Sequence, residues 1–489
     1  MAGVLVAAAV VAGVSVPLGS VGVGWLTAAV AGAAALAVAR RVRRPLPPGA
    51  PAPLVHRGTP RLPVARYGWG AVTIALVGVG TFRAAGWLFL LCLATAVVTS
   101  ALAAAGGRSA AAMIVAAGSG PVAAFRAIPW LAAGLRAARR TGADRATGTR
   151  IVATASVSVA LLAVFGALFA SADAAFARIL GRLVPRLDTG TVVWWCFVGA
   201  CAGAVLAGAA FLRAAPPDLT GLEKPGTRRV GRLEWAIPIG MLGLLFTAFV
   251  TVQLTVLFGG GGHVLRTAGL TYAEYARQGF WQLLVVTGLT LLVLAAAARW
   301  APRDTATDRW LIRVLLGALT GLTLLIVASA LHRMTVYADT YGLTRLRLLV
   351  ALCEAWLGTV FLLILAAGVR LRATWLPRVA VATAALALLG LAAANPDALI
   401  AGHNVDRLQR IDRVDQVYLS GLSPDAVPAL DRLPAPHRSC VLWPLAIELD
   451  GGDGWRGWGA WNAGRERARR HLVAHPVAPP SGNCAAGMD

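Results

Sequence analysis

The stretch LLVALCEAWLGTVFLLILAAGV, residues 348–369, decides the class of fold. It contains one acidic side chain, Glu354, and no basic side chain. Because the hydrocarbon core of a bilayer offers no water to backbone groups, a crossing segment is usually a helix of about 20 mostly apolar residues. This stretch meets that requirement. Ten further stretches meet it loosely, near 2–18, 21–39, 67–82, 84–105, 151–171, 191–212, 235–258, 279–298, 312–331 and 379–394.

The composition of the whole chain agrees with many membrane crossings. Hydrophobic residues make up 58% of the chain and charged residues 14%, whereas an ordinary soluble domain is about a quarter charged. The net charge of +23 lies between apolar stretches and not on a basic soluble module of the kind that binds nucleic acid. We therefore predict an all-α, polytopic transmembrane helix bundle of about 11 spans and no nucleic-acid partner.

The distribution of basic residues predicts the orientation of this bundle. Lys and Arg accumulate in cytoplasmic loops, and alternate loops of the predicted bundle hold 26 of them against 9 in the opposite loops. This difference predicts a cytoplasmic N-terminus and an extracytoplasmic C-terminus in the plasma membrane of a bacterium. The stretch 121–140 mixes apolar residues with arginines and is typical of a helix in the membrane interface. The basic loops are 40–66, 106–150, 213–233, 299–313 and 370–378.

The chain changes character at Asn395, after which 11 of its 22 acidic residues occur. We predict a small extracytoplasmic tail made of short helices. The tail also holds Cys440 and Cys484, which either pair in an oxidising compartment or stay reduced. The predicted division is 1–150 for an N-terminal membrane region with four spans, 151–394 for a core with seven spans, and 395–489 for the tail.

Glu354 is the one carboxyl group well inside a predicted span. Ionisable groups inside a membrane are costly and are functional candidates by default. Glu354 is therefore a proton carrier, a cation ligand, or an acid paired with Arg333 or Arg345 from the neighbouring loop. The alternative is a protonated, hydrogen-bonded side chain that joins two helices.

Other polar residues are expected near the outer ends of the spans. Arg333, Tyr337 and Tyr341 recur every four residues and therefore share one helix face, with Asp339 close by. Tyrosines at this depth usually anchor a helix in the interface, although the same group suits the mouth of a cavity. Asp173 follows the fifth span, where its carboxylate is placed to cap the next helix.

Motifs of common enzymes are missing from the sequence. It contains no zinc-protease spacing, no phosphate-binding loop, no Cys-x-x-Cys pair and no Gly-x-Ser-x-Gly elbow. The sequence therefore implies no cofactor and no metal, and it names no catalytic residue.

Five strings of the chain are distinctive: LFASADAAFARIL (168–180), VYADTYGLTRLRL (336–348), NPDALIAGHNVDR (395–407), YLSGLSPDAVPAL (418–430) and WNAGRERAR (461–469). They resemble a bacterial, largely actinobacterial, family of uncharacterised membrane proteins, domain of unknown function 4173, which is related to 4153. The resemblance implies a polytopic membrane protein with a C-terminal soluble portion and an unknown molecular function. It also implies a shared site at Ser171, Asp173, Tyr337, Tyr341, Gly342, Arg345, Asn395, Asp397, Asn404 and Arg407.

Three functions fit these observations. The first is a non-enzymatic sensor or scaffold that acts through its tail, with the lipid bilayer and a protein at the tail or at the basic loops as partners. The second is a transporter that uses Glu354. The third is a membrane-embedded transferase, which would need Asp173, Asp339 or His332 as its acid or base at the outer face.

Overall fold

A computed structural model describes most of the chain. The described residues are 2–41, 62–107, 109–140, scattered positions between 154 and 173, 189–215, 231–258, 280–371, 373–451, 457–480 and 484. Their regular secondary structure is entirely helical, which confirms the predicted all-α class. The described residues divide into two compact units, Met1–Pro63 with Ala117–Pro217 and Gly457–Ala460, and Val64–Ala116 with Asp218–Arg456 and Trp461–Asp489.

The first unit is built on two short apolar helices and one long helix. Helix α1 (Ala2–Ser15) and helix α2 (Val23–Arg41) form a hairpin that packs on α6 (Thr189–Ala214). The backbones approach closely because Gly13 has no side chain: a Cβ there would lie 2.6 Å from the carbonyl oxygen of Trp195. Most of α5 (Ala110–Arg140) also belongs to this unit.

The second unit contains the remaining long helices, which form its membrane-type core. Helix α9 packs against α7, α8 and α10, and α11 packs against α10 and α4. Phe361, Leu319 and Ile326 are fully buried at the centre of this core. The helices are α3 (Leu62–Phe82), α4 (Gly86–Ala104), α7 (Arg232–Phe258), α8 (Phe280–Trp300), α9 (Ala306–Tyr341), α10 (Arg345–Arg370) and α11 (Leu376–Ala394).

Eight helices of the described residues are long and apolar enough to cross a membrane. Seven of them cover predicted spans, and the eighth is Ala110–Ala133 within α5. The sequence prediction began an interfacial helix at Pro121. In the structure the helix begins earlier, at Ala110, and Pro121 lies inside it, after a run of uncharged residues. Of the other predicted spans, α1 and α2 are shorter apolar helices, 67–82 lies in α3, which is not among the eight, and 151–171 lies mostly outside the described residues.

The tail continues directly from the last membrane-type helix. Helix α11 ends at Ala394 and α12 begins at Pro396, with Asn395 between them in the left-handed backbone region (φ 58°). The tail helices surround their own apolar core, which includes Ile400, Leu430 and Leu442. The tail helices are α12 (Pro396–Ile411), α13 (Gln416–Ser420), α14 (Val427–Leu430), α15 (Ala435–Asp450) and α16 (Ala463–Ala474).

Candidate functional site

The centre of the candidate site is Asp397, in the first turn of α12. Its side chain is completely buried, and both carboxylate oxygens accept hydrogen bonds. Arg345 at the start of α10 donates from Nη2 to Oδ2 at 2.7 Å and from Nε to Oδ1 at 3.1 Å. The indole N–H of Trp87 on α4 donates to Oδ1 at 3.0 Å, and the backbone N–H of Ser423 donates to Oδ2 at 2.9 Å. One carboxylate therefore joins two membrane-type helices to two parts of the tail.

The electrostatics of this centre favour an ionised Asp397. Burial alone raises the pKa of the carboxyl group, but the hydrogen bonds and charge of Arg345 and the bond from Ser423 lower it below the ordinary value. The N-terminus of α12 also favours a negative charge in its first turn. Asp397 is therefore a carboxylate at neutral pH, and its negative charge is matched by the guanidinium of Arg345.

The turn between α9 and α10 is held by the tail as well. The backbone N–H of Arg345 donates to the hydroxyl of Tyr418 at 2.6 Å, and Asn404 donates to the carbonyl oxygen of Leu343 at 2.8 Å. Gly342 has φ 82°, and a Cβ at this position would overlap the side-chain oxygen of Asn404. Arg407 donates from Nη2 to the carbonyl oxygen of Thr340 at 2.6 Å. A cation is favourable there because the last carbonyls of α9 carry partial negative charge.

A second set of contacts holds the short turn between α3 and α4. Arg83 donates from Nη2 to the carbonyl oxygen of Ala393 at 2.8 Å, and the backbone N–H of Ala84 donates to Asp425 at 2.6 Å. Asn462, which is 2% exposed, donates to the carbonyl oxygens of Gly80 and Arg83 at 2.8 and 2.9 Å. Burial raises the pKa of Asp425, although the N–H of Ala84 and the charge of Arg83 act in the opposite direction.

The contacts around Asp397 and Asp425 form a junction between the tail and the ends of the membrane-type helices. Comparison with known proteins places this junction within one family. The family described as "Domain of unknown function (DUF4153)" matches residues 71–433, which is more than half of the chain. The chain belongs to the DUF4153 family. The match includes Trp87, Arg345, Asp397 and Asp425, and it ends before the WNAGRERAR string. No curated protein and no solved structure matches the chain.

The structure brings together most of the site residues that the sequence marked. The described junction contains Gly342, Arg345, Asn395, Asp397, Asn404 and Arg407, and the side chain of Asn395 donates to the carbonyl oxygen of Asp425 at 3.2 Å. The rings of Tyr337 and Tyr341 contact each other nearby, with centroids 5.0 Å apart and planes inclined by 51°, and the guanidinium of Arg347 lies 4.3 Å above the ring of Tyr337. The junction therefore unites three of the five strings that resemble the family, 336–348, 395–407 and 418–430.

Other predicted members of the outer cluster lie elsewhere. Arg333 donates to Gln253 on α7. Asp339 is 60% exposed, and its Oδ1 lies 3.7 Å from Nε2 of His403 on α12. Asp173 is exposed and belongs to the first unit, and its expected role as a cap concerns residues outside the described part of the chain. Ser171 also lies outside the described residues.

Two of the alternatives that the sequence left open for Glu354, an ion pair and a hydrogen bond that joins two helices, are not found among the described residues. Glu354 is 1% exposed, and neither carboxyl oxygen has a hydrogen-bond partner among the described residues. Glu354 therefore pairs with neither Arg333 nor Arg345, which bind Gln253 and Asp397. The alternative of a hydrogen bond that joins two helices is equally absent from the described contacts of this side chain.

Several side chains of the junction were missed by sequence reasoning, among them Tyr418, which lies in one of the five strings. Asp425 and Asn462 lie inside strings that resemble the family, so a search for buried polar partners within those strings would have included them. Arg83 lies in the short turn between α3 and α4 and Trp87 in the first turn of α4, and no local pattern distinguishes them from interfacial anchors. Their partners are more than 300 positions away in the chain.

The tail carries a disulfide between Cys440 on α15 and Cys484, with Cα atoms 5.5 Å apart. Of the two alternatives that the sequence left open, the structure therefore contains the paired form. The bond joins the segment that follows α16 to α15.

Proposed function

We propose that this DUF4153-family chain is a sensor or scaffold of the bacterial cytoplasmic membrane, in which an extracytoplasmic tail is coupled to the membrane helices. The observation that carries the proposal is the buried carboxylate of Asp397, bound at once by α4, α10 and the segment at Ser423. A change in the tail that moves α12 must break or shift these bonds. The tail and the helix ends therefore form one mechanical unit.

The energies of these contacts support a tail that is firmly coupled to the membrane helices and not one that is loosely tethered to them. Removing one partner of a buried ion pair leaves the other charge without compensation, which costs about 3–5 kcal/mol in fully buried cases. The contacts of Asn404, Arg407 and Asn462 with backbone carbonyls add further bonds between the tail and the helix ends. Coupling is useful when a ligand or a partner protein binds the tail and the membrane region must respond.

The orientation of the tail belongs to the same proposal. An excess of basic residues in alternate loops supports a C-terminus outside the cytoplasm. The Cys440–Cys484 bond supports the same side, because disulfides persist in oxidising compartments. In this arrangement a ligand or a protein partner meets the tail from outside, while the basic loops face anionic lipid or a cytoplasmic protein. We also expect an actinobacterial source and a close relation to family 4173.

The test is complementation of a strain from which the gene has been deleted. RNA abundance profiles would be compared for the deletion strain and for strains that carry the wild-type chain, Asp397→Asn or Asp406→Asn. Asp406 is the matched control because it forms an exposed ion pair with Arg432 within the tail. We expect Asp406→Asn to restore the wild-type profile and Asp397→Asn to leave the deletion profile, at equal amounts of protein in the membrane. Full complementation by Asp397→Asn would refute a coupled tail.

A transporter is the second candidate, and the environment of Glu354 favours it. A buried carboxyl group without a hydrogen-bond partner among the described residues is typical of a group that binds a proton or cation in one step of a cycle. The same strain distinguishes the two functions. If the strain with Glu354→Gln keeps the RNA profile of the deletion strain while Asp397→Asn restores the wild-type profile, the chain is a transporter. The opposite pattern supports the sensor or scaffold.

A further inference from the structure

Three metal-ligating side chains meet on one side of the tail. They are Asp431, which follows α14, His471 in the last turn of α16, and His475, which follows that helix. One donor atom from each lies within 4.8 Å of the others. We propose that these three side chains bind a divalent transition-metal ion. That this ion is the signal sensed by the tail rests on the proposed function, whereas the site itself rests on the geometry below.

The spacing of the donors suits a small metal ion. His471 and His475 are one helical turn apart, with ring centroids separated by 4.6 Å and planes inclined by 28°. Nε2 of His471 lies 3.0 Å from Oδ2 of Asp431. In a tetrahedral zinc site with bonds of about 2.0–2.1 Å, neighbouring donors are roughly 3.3 Å apart. The pair from His471 and Asp431 is already near that separation, and a ring nitrogen of the exposed His475 lies within 4.8 Å of both donors.

The surrounding hydrogen bonds orient the donors as in known metal sites. Nδ1 of His475 lies 3.2 Å from the carbonyl oxygen of His471. When Nδ1 carries the proton of this bond, Nε2 presents its lone pair to a metal, which is the arrangement that outer partners commonly impose on ligating histidines. The bond between His471 and Asp431 holds a proton where the metal would bind, so metal binding replaces that proton.

Arg438 on α15 connects the ligands to the rest of the tail. It donates from Nε to Oδ1 of Asp431 at 2.7 Å and from Nη2 to the carbonyl oxygen of His475 at 2.9 Å. The other carboxylate oxygen, Oδ2, remains on the side of the histidines. Two residues along α15, Cys440 binds the segment beyond His475 through the disulfide.

The donor set determines which metals fit. Two imidazole nitrogens and one carboxylate oxygen suit zinc, cobalt, nickel or copper. Calcium and magnesium prefer sets made entirely of oxygen ligands. Three protein ligands leave at least one position for water or for a group of the partner. Because His471 and His475 lie beyond the part of the chain that matches the DUF4153 family, the site is an expectation for this chain and not for the family.

The experiment measures metal binding directly. Full-length protein in lipid nanodiscs, purified with a tag that contains no histidine and stripped with a chelator, is titrated with Co²⁺ while the visible absorption of the metal is recorded. Zn²⁺ then displaces Co²⁺ to give its affinity. We expect one equivalent of Co²⁺ with a saturable visible spectrum, and an affinity at least about tenfold weaker for His471→Ala, His475→Ala and Asp431→Asn.

His437 provides the matched control for this titration. It is another tail histidine, but its Nδ1 pairs with Gln416 and it is not part of the cluster. We expect His437→Ala to bind Co²⁺ like the wild type. The exposed His475 is the decisive position, because its truncation removes a ligand without disturbing the core. A signal that does not saturate near one equivalent, or equal loss in His437→Ala and His475→Ala, would overturn the metal site.

The metal site and the proposed function fail in different ways. Co²⁺ binding with full complementation by Asp397→Asn would keep the site and refute the sensor. No Co²⁺ binding together with failed complementation by Asp397→Asn would keep the sensor and refute the metal as its signal. If both proposals hold, His475→Ala also leaves the RNA profile of the deletion strain, while His437→Ala restores the wild-type profile.

Discussion

At the scale of single residues, Asp397 shows how one side chain connects distant parts of the chain. The carboxylate is useful because it accepts several hydrogen bonds at once, and an amide of the same shape offers one oxygen and no charge. Arg345, Trp87 and the N–H of Ser423 supply the donors. Resemblance to a family marked Arg345 and Asp397 in the sequence. It did not mark Trp87, since a partner 310 positions away leaves no local pattern.

We expect Asp397→Asn to lower the free energy of unfolding by roughly 2–3 kcal/mol. This is less than the ~3–5 kcal/mol of a fully buried pair, because the side chain of Arg345 remains 31% exposed. Thermal unfolding in detergent measures this loss of stability, with the protection of the tail backbone from hydrogen exchange as the readout. Asp406→Asn is the control and should change stability by less than ~1 kcal/mol, since both members of its ion pair are more than half exposed.

The pH dependence of this loss follows from the lowered pKa of Asp397. A carboxyl group whose pKa is lower in the folded state contributes its full stability above the unfolded pKa of about 3.9, and the contribution disappears as the pH falls through the folded value. The difference between wild type and Asp397→Asn should therefore be constant above about pH 5 and shrink below about pH 4. A difference that shrinks already near neutral pH would show that Asp397 is not ionised in the folded protein.

At the scale of helices and turns, hydropathy located the long helices but not all of their ends. The predicted span 312–331 lies within α9, which continues to Tyr341. At about 1.5 Å per residue, its 36 residues extend roughly 54 Å, beyond the ~30 Å hydrocarbon core. Polar residues such as Arg333 and Asp339 end the apolar run, but they do not end the helix, because the stop is the backbone conformation of Gly342. In α5 the predicted helix began at Pro121, whereas the helix begins at Ala110 and continues through this proline.

Two glycines of this region should respond oppositely to alanine. Gly342 has φ 82° and faces Asn404, so Gly342→Ala should destabilise the protein by about 1–3 kcal/mol through backbone strain and loss of that contact. Gly402 lies within α12 with open space around its Cα, so Gly402→Ala should stabilise by about 0.5–1 kcal/mol. Unfolding midpoints of the two variants in the same detergent test this. Equal shifts in one direction would show that the turn is not under conformational constraint.

At the scale of the whole molecule, composition was sufficient to predict a polytopic helical membrane protein, because apolar surface of this amount has no other stable solution. The number of crossings is harder to obtain from composition. Every short or partly polar helix changes the count by one and reverses the side of all later loops. Helices α1, α2 and α5 are the helices for which length, proline and arginine content give conflicting indications. The packing of the tail on the helix ends was not predictable, since it depends on pairs far apart in the chain.

Fusions of alkaline phosphatase test the topology, because this reporter is active only outside the cytoplasm. We expect activity after Asp489 and no activity after Asp304, in the basic loop that follows α8. A third fusion after Thr141 reports on α5. Activity at this position means that α5 itself crosses the membrane. In that case one of the other predicted spans does not cross. An inactive fusion after Asp489 would contradict an extracytoplasmic tail.

The long-range bonds of Asp397 have a consequence for biosynthesis. At roughly 5–20 residues per second, Trp87 leaves the ribosome about 15 to 60 s before Asp397, from which it is 310 positions away. The interval is longer still for the end of α3, because Gly80 and its partner Asn462 are 382 positions apart. During this interval the ends of the first helices lack their final partners. A chain that stops before the tail therefore presents unpaired helix ends to the proteases that survey the membrane.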